Sequence, residues 1–505
     1  MHIVGKVQKS SDGPTSAGAT QGKEEHAWGL SKYEKLLILL FALSLPLINP
    51  WVRGDGVGYY AYARSLLIER HLDFEKDWQH GNESFVMGRV DSNGHLLANQ
   101  YTPTGHIANI WAVGPSLLWA PFLVVTHLGV LVFDKLGGNV QADGFSAPYL
   151  VTMAAATALY GFAGLWISFR LAREYFQERW AFLATLGIWW GSSLPVYMYF
   201  NPSWSHAHSA FVVALFLWYW HQTRGERTIP QWILLGAISG LMVDVYYPNG
   251  VLLLIPLLEA CVRYWNGWKL GTHDGAAMAK LFAMHALYAA VFAAALLPTL
   301  LSRRIILGGF FRTGYPRGWH WSSPAFWSVL FSSDHGLLSW TPILILSLIG
   351  LALFLRTDHL FAVYLIIVFL AFYSVISFYP DWDGLSSFGN RFFVSLTPIF
   401  ILGLAAFFDS LARIWQERPA AIFASSVTAA FILWNLGLIL QWGMHLIPAR
   451  GPISWRDAAH NQVSTVPRQA AQSVRHYLTG RKQFLDRIEQ QDVDQMRSRQ
   501  TEGTE

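Results

Sequence analysis

The chain has 505 residues and one cysteine, Cys261. A single thiol excludes an intramolecular disulfide and any zinc or iron–sulfur centre built from thiolates. Charge is scarce as well. Lys+Arg is 36 and Asp+Glu is 32, only 13% of the residues, where an ordinary soluble domain carries about 25%. Neither sign dominates: the formal balance is +4 and is not concentrated in one region, so there is no electrostatic case for nucleic acid as a partner. Disorder, a coiled coil, a collagen-like fibre and a disulfide scaffold are excluded too, and no strict internal repeat is visible. Residues Met1 to Gln21 are rich in Gly, Ser and Thr and lack the short apolar core and small-residue cleavage site of a secretory signal. Residues 1–34 are expected to be a disordered cytoplasmic tail.

What the chain has in quantity is apolar surface. Hydrophobic residues are 53%, and Trp 24, Tyr 20 and Phe 33 bring aromatics to 15%, with a mean hydropathy of +0.30. So few polar residues cannot cover soluble domains of this length, and the matching solvent is a bilayer. A span needs about 20 mostly apolar residues. Such runs lie near 35–50, 146–169, 180–200, 208–221, 232–246, 249–263, 280–301, 336–355, 359–379, 391–408 and 420–444. The expected fold is all-α, a polytopic transmembrane helical bundle of about 11 spans plus interfacial or re-entrant helices.

Basic residues mark cytoplasmic loops. Lys32 and Lys35, the loops with Arg170, Arg173 and Arg179, with Arg224 and Arg227, with Arg263 and Lys269, with Arg356, and with Arg413 and Arg418 all suit that role. If Lys35 and the Arg170–Arg179 loop are both inside, one net crossing lies between them, and 146–169 supplies it. The apolar stretch 107–132 is then expected to lie in the outer interface or to dip in and return, with breaks at Gly114-Pro115 and Ala120-Pro121. The other reading is that it crosses. Segments 232–246 and 249–263 are short, meet at Tyr247-Pro248-Asn249-Gly250, and read as a broken or re-entrant pair. The outer-face segments become 51–145, 201–207, 302–335, 380–390 and 446–505, the last a polar, partly helical tail.

The uncommon polar clusters fall on that outer face. The first is Arg53-Gly54-Asp55-Gly56-Val57-Gly58-Tyr59-Tyr60, followed by an amphipathic run through Arg64. Asp55 sits between glycines that permit close backbone approach. It reads either as a helix N-cap or as a general base or metal-binding carboxylate at the membrane edge. Asp73, Glu75 and Asp77 read as loop stabilisers. The second cluster holds His206 and His208, whose spacing of two sends them to different sides of a helix and disfavours a two-histidine metal site. Either could hydrogen-bond a phosphate or hydroxyl, or be an interfacial histidine satisfied by backbone. The third holds Arg303, Arg304, Arg312 and Arg317, basic residues outside against the usual bias. They read as snorkelling side chains or as phosphate ligands. The last two, Asp334-His335 and Asp383 through Arg391, open spans from outside. Arg391 at a helix start opposes the macrodipole, so an anion belongs beside it: a ligand, or Asp383.

Together these residues resemble the GT-C superfamily of membrane glycosyltransferases, in particular bacterial protein-mannosyltransferase-like and aminoarabinose-transferase-like members. The likeness is carried by Asp55 directly after the first span, the long first outer loop, and the segments Leu330–Leu337 and Trp382–Phe392. It covers roughly 30–445, the GT-C-like module being 35–445 and the tail 446–505. The resemblance implies an inverting transfer of a sugar from a polyprenyl-phosphate-linked donor to a glycan, lipid or protein acceptor. It implies a multi-pass protein of the bacterial inner (cytoplasmic) membrane with its site facing the periplasm. Asp55 would be the catalytic base or acceptor-positioning carboxylate. Arg303, Arg304, Arg312 and Arg391 would hold the donor phosphate. Tyr59, Tyr60, Arg64, His206, His208, Asp334, His335 and Asp383 would contact substrates. Many relatives pair two acids in the first loop. Here Asp55 has glycine neighbours, so a divalent metal stays open. A transporter or flippase of a lipid-linked amphiphile is the alternative, and would need ionisable residues at mid-span depth such as Asp244 and His285. A non-catalytic membrane scaffold is a third class.

Overall fold

The computed structural model describes residues 29–269, 275–314 and 318–502. Among them the backbone is helical with no strand, apart from isolated bridges Val90–Leu96 and Tyr101–Ile107. The helices are α1 (Lys32–Ser44), α2 (Asp55–Arg64), α3 (Gly114–Lys135), α4 (Ala147–Arg173), α5 (Glu178–Trp190), α6 (His206–Thr223), α7 (Ile229–Val245), α8 (Leu254–Lys269) and α9 (Gly275–Ala295). They continue with α10 (Leu297–Leu307), α11 (Ile343–Phe354), α12 (His359–Phe378), α13 (Thr397–Trp415), α14 (Glu417–Gly443), α15 (Trp455–Val463), α16 (Thr465–Thr479) and α17 (Arg481–Glu502). Six stretches are long and apolar enough to cross a bilayer: Gly114–Lys135, Ala147–Arg173, Gly275–Ala295, His359–Phe378, Arg391–Trp415 and Glu417–Gly443. The apolar runs expected to span are mostly helical, with breaks at 191–193 within 180–200 and at Thr341 within 336–355, and the chain is an all-α polytopic bundle. Residues 1–28 and Arg317 lie outside the described residues. Within the 1–34 expected to be tail, a capping box between Ser31 and Glu34 starts α1 at Lys32.

Ion pairs define two faces. Glu34 at the start of α1 holds Arg170 at 2.8 Å and Arg173 at 3.5 Å at the end of α4. Arg224 after α6 meets Asp358 before α12 at 2.7 Å. Arg227 before α7 meets Glu259 on α8 at 2.9 Å. These residues mark a basic-loop face. The opposite face gathers the residues after α1, the loop before α3, and the tail: Asn49 N donates to Tyr199 O at 2.8 Å, and Tyr477 OH to Leu47 O at 2.6 Å.

The pair α7 and α8 reaches both faces. Between them Tyr247–Leu253 is a 3-10 helix, which climbs about 2.0 Å per residue against about 1.5 Å in an α-helix. That extra rise lets a short segment return from Tyr247 to Glu259 beside Arg227, so the pair is broken but not re-entrant. At the bundle centre α11 and α13 cross in backbone contact. A Cβ on Gly350 would lie 1.8 Å from Gly403 O, the close approach that small residues allow between apolar helices.

The segment 107–132 gives a correction. Gly114-Pro115 begins α3 instead of breaking it, as proline suits a first turn, and Pro121 sits inside a continuous helix. Tyr160 OH donates to Leu118 O at 3.0 Å, beside the turn that the proline weakens. α3 runs antiparallel along the first half of α4 only: Trp119 bonds Thr157 at 2.9 Å, Thr126 bonds Thr152 at 2.7 Å and His127 bonds Tyr149 at 2.7 Å. Its far end leads to Gly144, whose carbonyl accepts from Tyr60 OH at 2.7 Å. Both ends of α3 therefore lie with the loop that follows α1. The tail is helical almost throughout, and α15 is tied to α14 by Gln441 Nε2 donating to Ala458 O at 3.1 Å.

Candidate active site

α2 opens on Asp55 after Gly54, which holds φ +53. An acid in a first helical turn meets unpaired N–H groups and the positive end of the macrodipole. The loop before it is clamped from two sides. Trp204 Nε1 donates to Arg53 O at 2.9 Å, and Gly54 N donates to Asn82 Oδ1 at 3.0 Å. Gly56 lets the Ser203–Trp204 turn press on α2, since a Cβ there would lie 1.9 Å from Ser203 Oγ. That contact carries the Trp204 ring under Arg391, whose guanidinium carbon is 4.4 Å from the ring centroid. Arg391 Nη1 meets Asp55 Oδ2 at 2.8 Å, with the side chains 12% and 32% exposed. Arg391 Nε is buried without a partner. The anion that the helix start required is thus Asp55, not Asp383.

The pair lines a cavity of about 390 Å³. Arg53, Asn82, Arg89 and Arg450 line it too. The rest of the wall is largely apolar, with Phe200, Ile439, Leu440, Trp442, Phe484 and Ile488. Burial lowers the Arg89 guanidinium and the nearby Asp55 charge opposes that shift.

The other expected site residues divide. Tyr59 belongs beside the pair, its hydroxyl accepting from Ser205 Oγ at 3.1 Å, and His206 packs against Tyr197 at 4.7 Å between ring centroids and near Trp204. His208 diverges as its spacing predicts and packs against Trp119 at 5.0 Å and Tyr160 at 5.5 Å. Tyr60 turns away toward Gly144. Arg64 is taken up by Asp77 at 2.8 Å, Glu69 at 2.7 Å and the carbonyl of Asp143 at 3.2 Å. The arginines expected on the donor phosphate do not converge. Arg304 donates to Gly308 O at 2.9 Å and Arg312 to Leu307 O at 3.1 Å, closing the end of α10. Arg303 lies over the Tyr247 ring at 4.3 Å and faces Asp244 and its neighbour Thr299. None of the three lines the cavity. Conversely, Arg53 was named in the first cluster without a role, and Arg89 and Arg450 were not singled out. All are cations on the site face, the same signal that selected the 302–317 arginines.

Asp334, His335 and Asp383 form a group behind Arg391, with ligand atoms within 4.8 Å of one another. The intervening Gly384 puts its Cβ position 3.2 Å from Arg391 Nε. His335 Nδ1 lies 2.9 Å from the Asp383 carbonyl. A carbonyl only accepts, so Nδ1 carries the proton, and Nε2 keeps its lone pair and is buried without a partner. Burial pushes His335 down to about 4 and raises Asp334, whose shift the Asp383 charge reinforces. The group ties His335 to the 381–390 loop and leaves His335 Nε2 and Asp334 Oδ1 without hydrogen-bond partners, a donor set of the kind that holds a cation. The two mid-span candidates for a transport path are also apart: Asp244 ends α7 beside Arg303, while His285 bonds Tyr264 OH at 2.8 Å and packs on Trp232 near the start of α7.

No family model matches this chain, and no curated protein does. Among solved structures it is similar to ArnT from Cupriavidus metallidurans bound to undecaprenyl phosphate, at 14% identity over 82% of this chain and 71% of that one, with a TM-score of 0.43. It is likewise similar to ArnT from Cupriavidus metallidurans in the apo state, at 15% identity over 81% and 70%, with a TM-score of 0.41. At these scores the functional reading rests on the site itself.

Proposed function

We infer that this chain is a membrane glycosyltransferase that moves a sugar from a polyprenyl-phosphate-linked donor to an acceptor hydroxyl. The carrying observation is the Asp55–Arg391 pair lining a cavity whose wall is otherwise largely apolar. Undecaprenyl phosphate, the ligand in one ArnT structure, has that amphiphilic chemistry. The anionic phosphate meets Arg391 and the isoprenoid chain lies along the apolar wall.

The reaction follows from the pair. In the resting state Arg391 holds Asp55 by one Nη1 contact and keeps donor capacity at Nε. An incoming phosphate competes for the guanidinium fork, for which its geometry is suited, and frees the carboxylate to meet the acceptor. Asp55 takes the acceptor proton as the acceptor oxygen bonds the anomeric carbon. The bond from that carbon to the phosphate oxygen breaks, and its electron pair leaves with the polyprenyl phosphate. Attack opposite the leaving group inverts the anomeric centre. A phosphate leaving group needs no strong general acid, and its charge is stabilised by Arg391, with Arg89 and Arg450 in the same cavity. Fixed cations at developing charge are a large catalytic term. Tyr59 and His206 are buried behind the pair and do not line the cavity, so they support the pair from within the protein. The site face is the periplasmic face of an inner membrane, and the basic-loop face is cytoplasmic, as the distribution of short basic loops favours. If a divalent metal takes part, Asp55 would receive it, since Asp492, the other carboxylate on the cavity, is paired with Arg53.

The test incubates purified protein with radiolabelled polyprenyl-phosphate sugars and membrane extract. Label should move to an extractable acceptor with the wild-type protein and not with Asp55→Asn. Near-full transfer by Asp55→Asn removes this assignment.

A further inference from the structure

The last helix touches the site from the far end of the sequence. In α17, Asp492 forms an ion pair with Arg53, two residues before Asp55, and lies 3.2 Å from His445 Nε2. Glu489 accepts from Ser84 N at 2.6 Å and from Asn82 Nδ2 at 3.0 Å. Asn82 in turn accepts from Gly54 N at 3.0 Å. The loop that presents Asp55 is therefore held by α17 at two points. Leu485, Ile488 and Met496 lie on the same helical stripe as Asp492, at spacings of three and four, and all of them line the cavity. A carboxylate within an apolar stripe costs desolvation unless it is paired. Burial would push Asp492 up, yet His445 and Arg53 hold it below its ordinary value.

We propose that α17 completes the site: Asp492 and Glu489 are positioning residues for the Asp55 loop, and Leu485, Ile488 and Met496 form a wall that selects ligands with a long apolar chain. This rests on the reading of the cavity as a polyprenyl-phosphate site. A helix that merely packed on the bundle would bury its apolar stripe against protein. Here the stripe faces the cavity, and its two acids bind the segments on either side of Asp55's loop. The wall reads the chain of the ligand and the latches set where the carboxylate stands, so the two parts have separable consequences. Filling the wall changes affinity for long chains. Cutting the latches changes turnover.

The experiment uses the full-length protein in nanodiscs, with undecaprenyl phosphate, geranyl phosphate and inorganic phosphate as probes. Wild type should bind undecaprenyl phosphate at least about tenfold tighter than geranyl phosphate, from the extra apolar burial. A wall variant, Leu485→Trp with Ile488→Trp, should lose that preference while its geranyl phosphate affinity stays within about twofold. The latch variant, Glu489→Gln with Asp492→Asn, should lower kcat by about tenfold with a smaller change in KM, and Asp492→Glu should recover most of the rate. A wall variant that keeps the wild-type chain preference, or a latch variant with wild-type kcat, overturns the proposal. If the latch variant does not fold, the wall variant and Asp492→Glu decide. Wild type that binds none of the lipid phosphates defeats the cavity reading, and this proposal with it; wild type that binds them while the variants discriminate as it does defeats this proposal alone.

Discussion

Two buried arginines, Arg64 and Arg391, sit at the two ends of one short stretch of architecture around α2, and they are used differently. Arg64 is saturated: two carboxylates, a carbonyl and the Phe145 ring at 4.4 Å occupy its guanidinium. Arg391 has one carboxylate, the Trp204 ring at 4.4 Å and the Phe392 ring at 5.6 Å, and a buried Nε with no partner. The first is a clamp that closes the loop 64–80 onto Asp143 and Phe145. The second borders a cavity and keeps donors in reserve. A charge with its partners complete supports structure, whereas one with partners missing is available to a ligand.

The largest effect that would break this contrast is at Asp55. Asp55→Asn should cut transfer by about a thousandfold, the scale of losing a general base, with an unchanged melting profile in detergent. A large stability loss with little kinetic effect would make Asp55 another clamp. Next, Arg64→Ala should destabilise the fold by about 3–5 kcal/mol, because it leaves buried carboxylates unpaired. Chemical denaturation reads this directly, and a stable but inactive Arg64→Ala would place Arg64 in the site.

A subtler effect concerns pH. Burial pushes Asp77 up to about 7 from its ordinary 3.8, against the pull of Arg64. A raised folded value favours the protonated form, so its contribution is complete below the ordinary value and is lost as pH rises through about 7. Wild type should lose stability from about pH 4 to about pH 7 relative to Asp77→Asn. Parallel profiles would show that Asp77 titrates normally within the clamp. The smallest effects belong to Arg304→Gln and Arg312→Gln. Both side chains cap carbonyls at the end of α10, so transfer should stay within about threefold of wild type, each cap costing about 1 kcal/mol or less. A tenfold kinetic loss in either would restore them as phosphate ligands.

Much of the architecture was legible. Apolar runs of span length are a strong local signal, and most of their residues fell on helix. Asp55 and Arg391 were singled out for different reasons, an acid between glycines and a cation at a helix start, and both came to one cavity. What the sequence did not reveal was partnership. Arg391 lies 336 positions from Asp55 and only eight from Asp383, so local proximity favoured the wrong carboxylate. The arginines after α10 stood out by the same outer-face bias as Arg89 and Arg450, and nothing local separates a carbonyl cap from a cavity wall. The tail was read as polar because α17 is polar on most of its surface. Its narrow stripe of Leu485, Ile488 and Met496 gains meaning only once Arg53 supplies a partner for Asp492. The pair meeting at Tyr247 was read as broken or re-entrant because span length was counted at α-helical rise, which a 3-10 segment exceeds.

The central claim is that Arg391 keeps donor capacity for the phosphate of a lipid-linked substrate. The most direct measurement is the affinity of wild type and Arg391→Ala for undecaprenyl phosphate in nanodiscs. Arg391→Ala should bind at least about tenfold more weakly, the scale of one charge-assisted contact, with inorganic phosphate no longer competing. Equal affinities for the two proteins would contradict the account and leave Arg391 as a structural partner of Asp55.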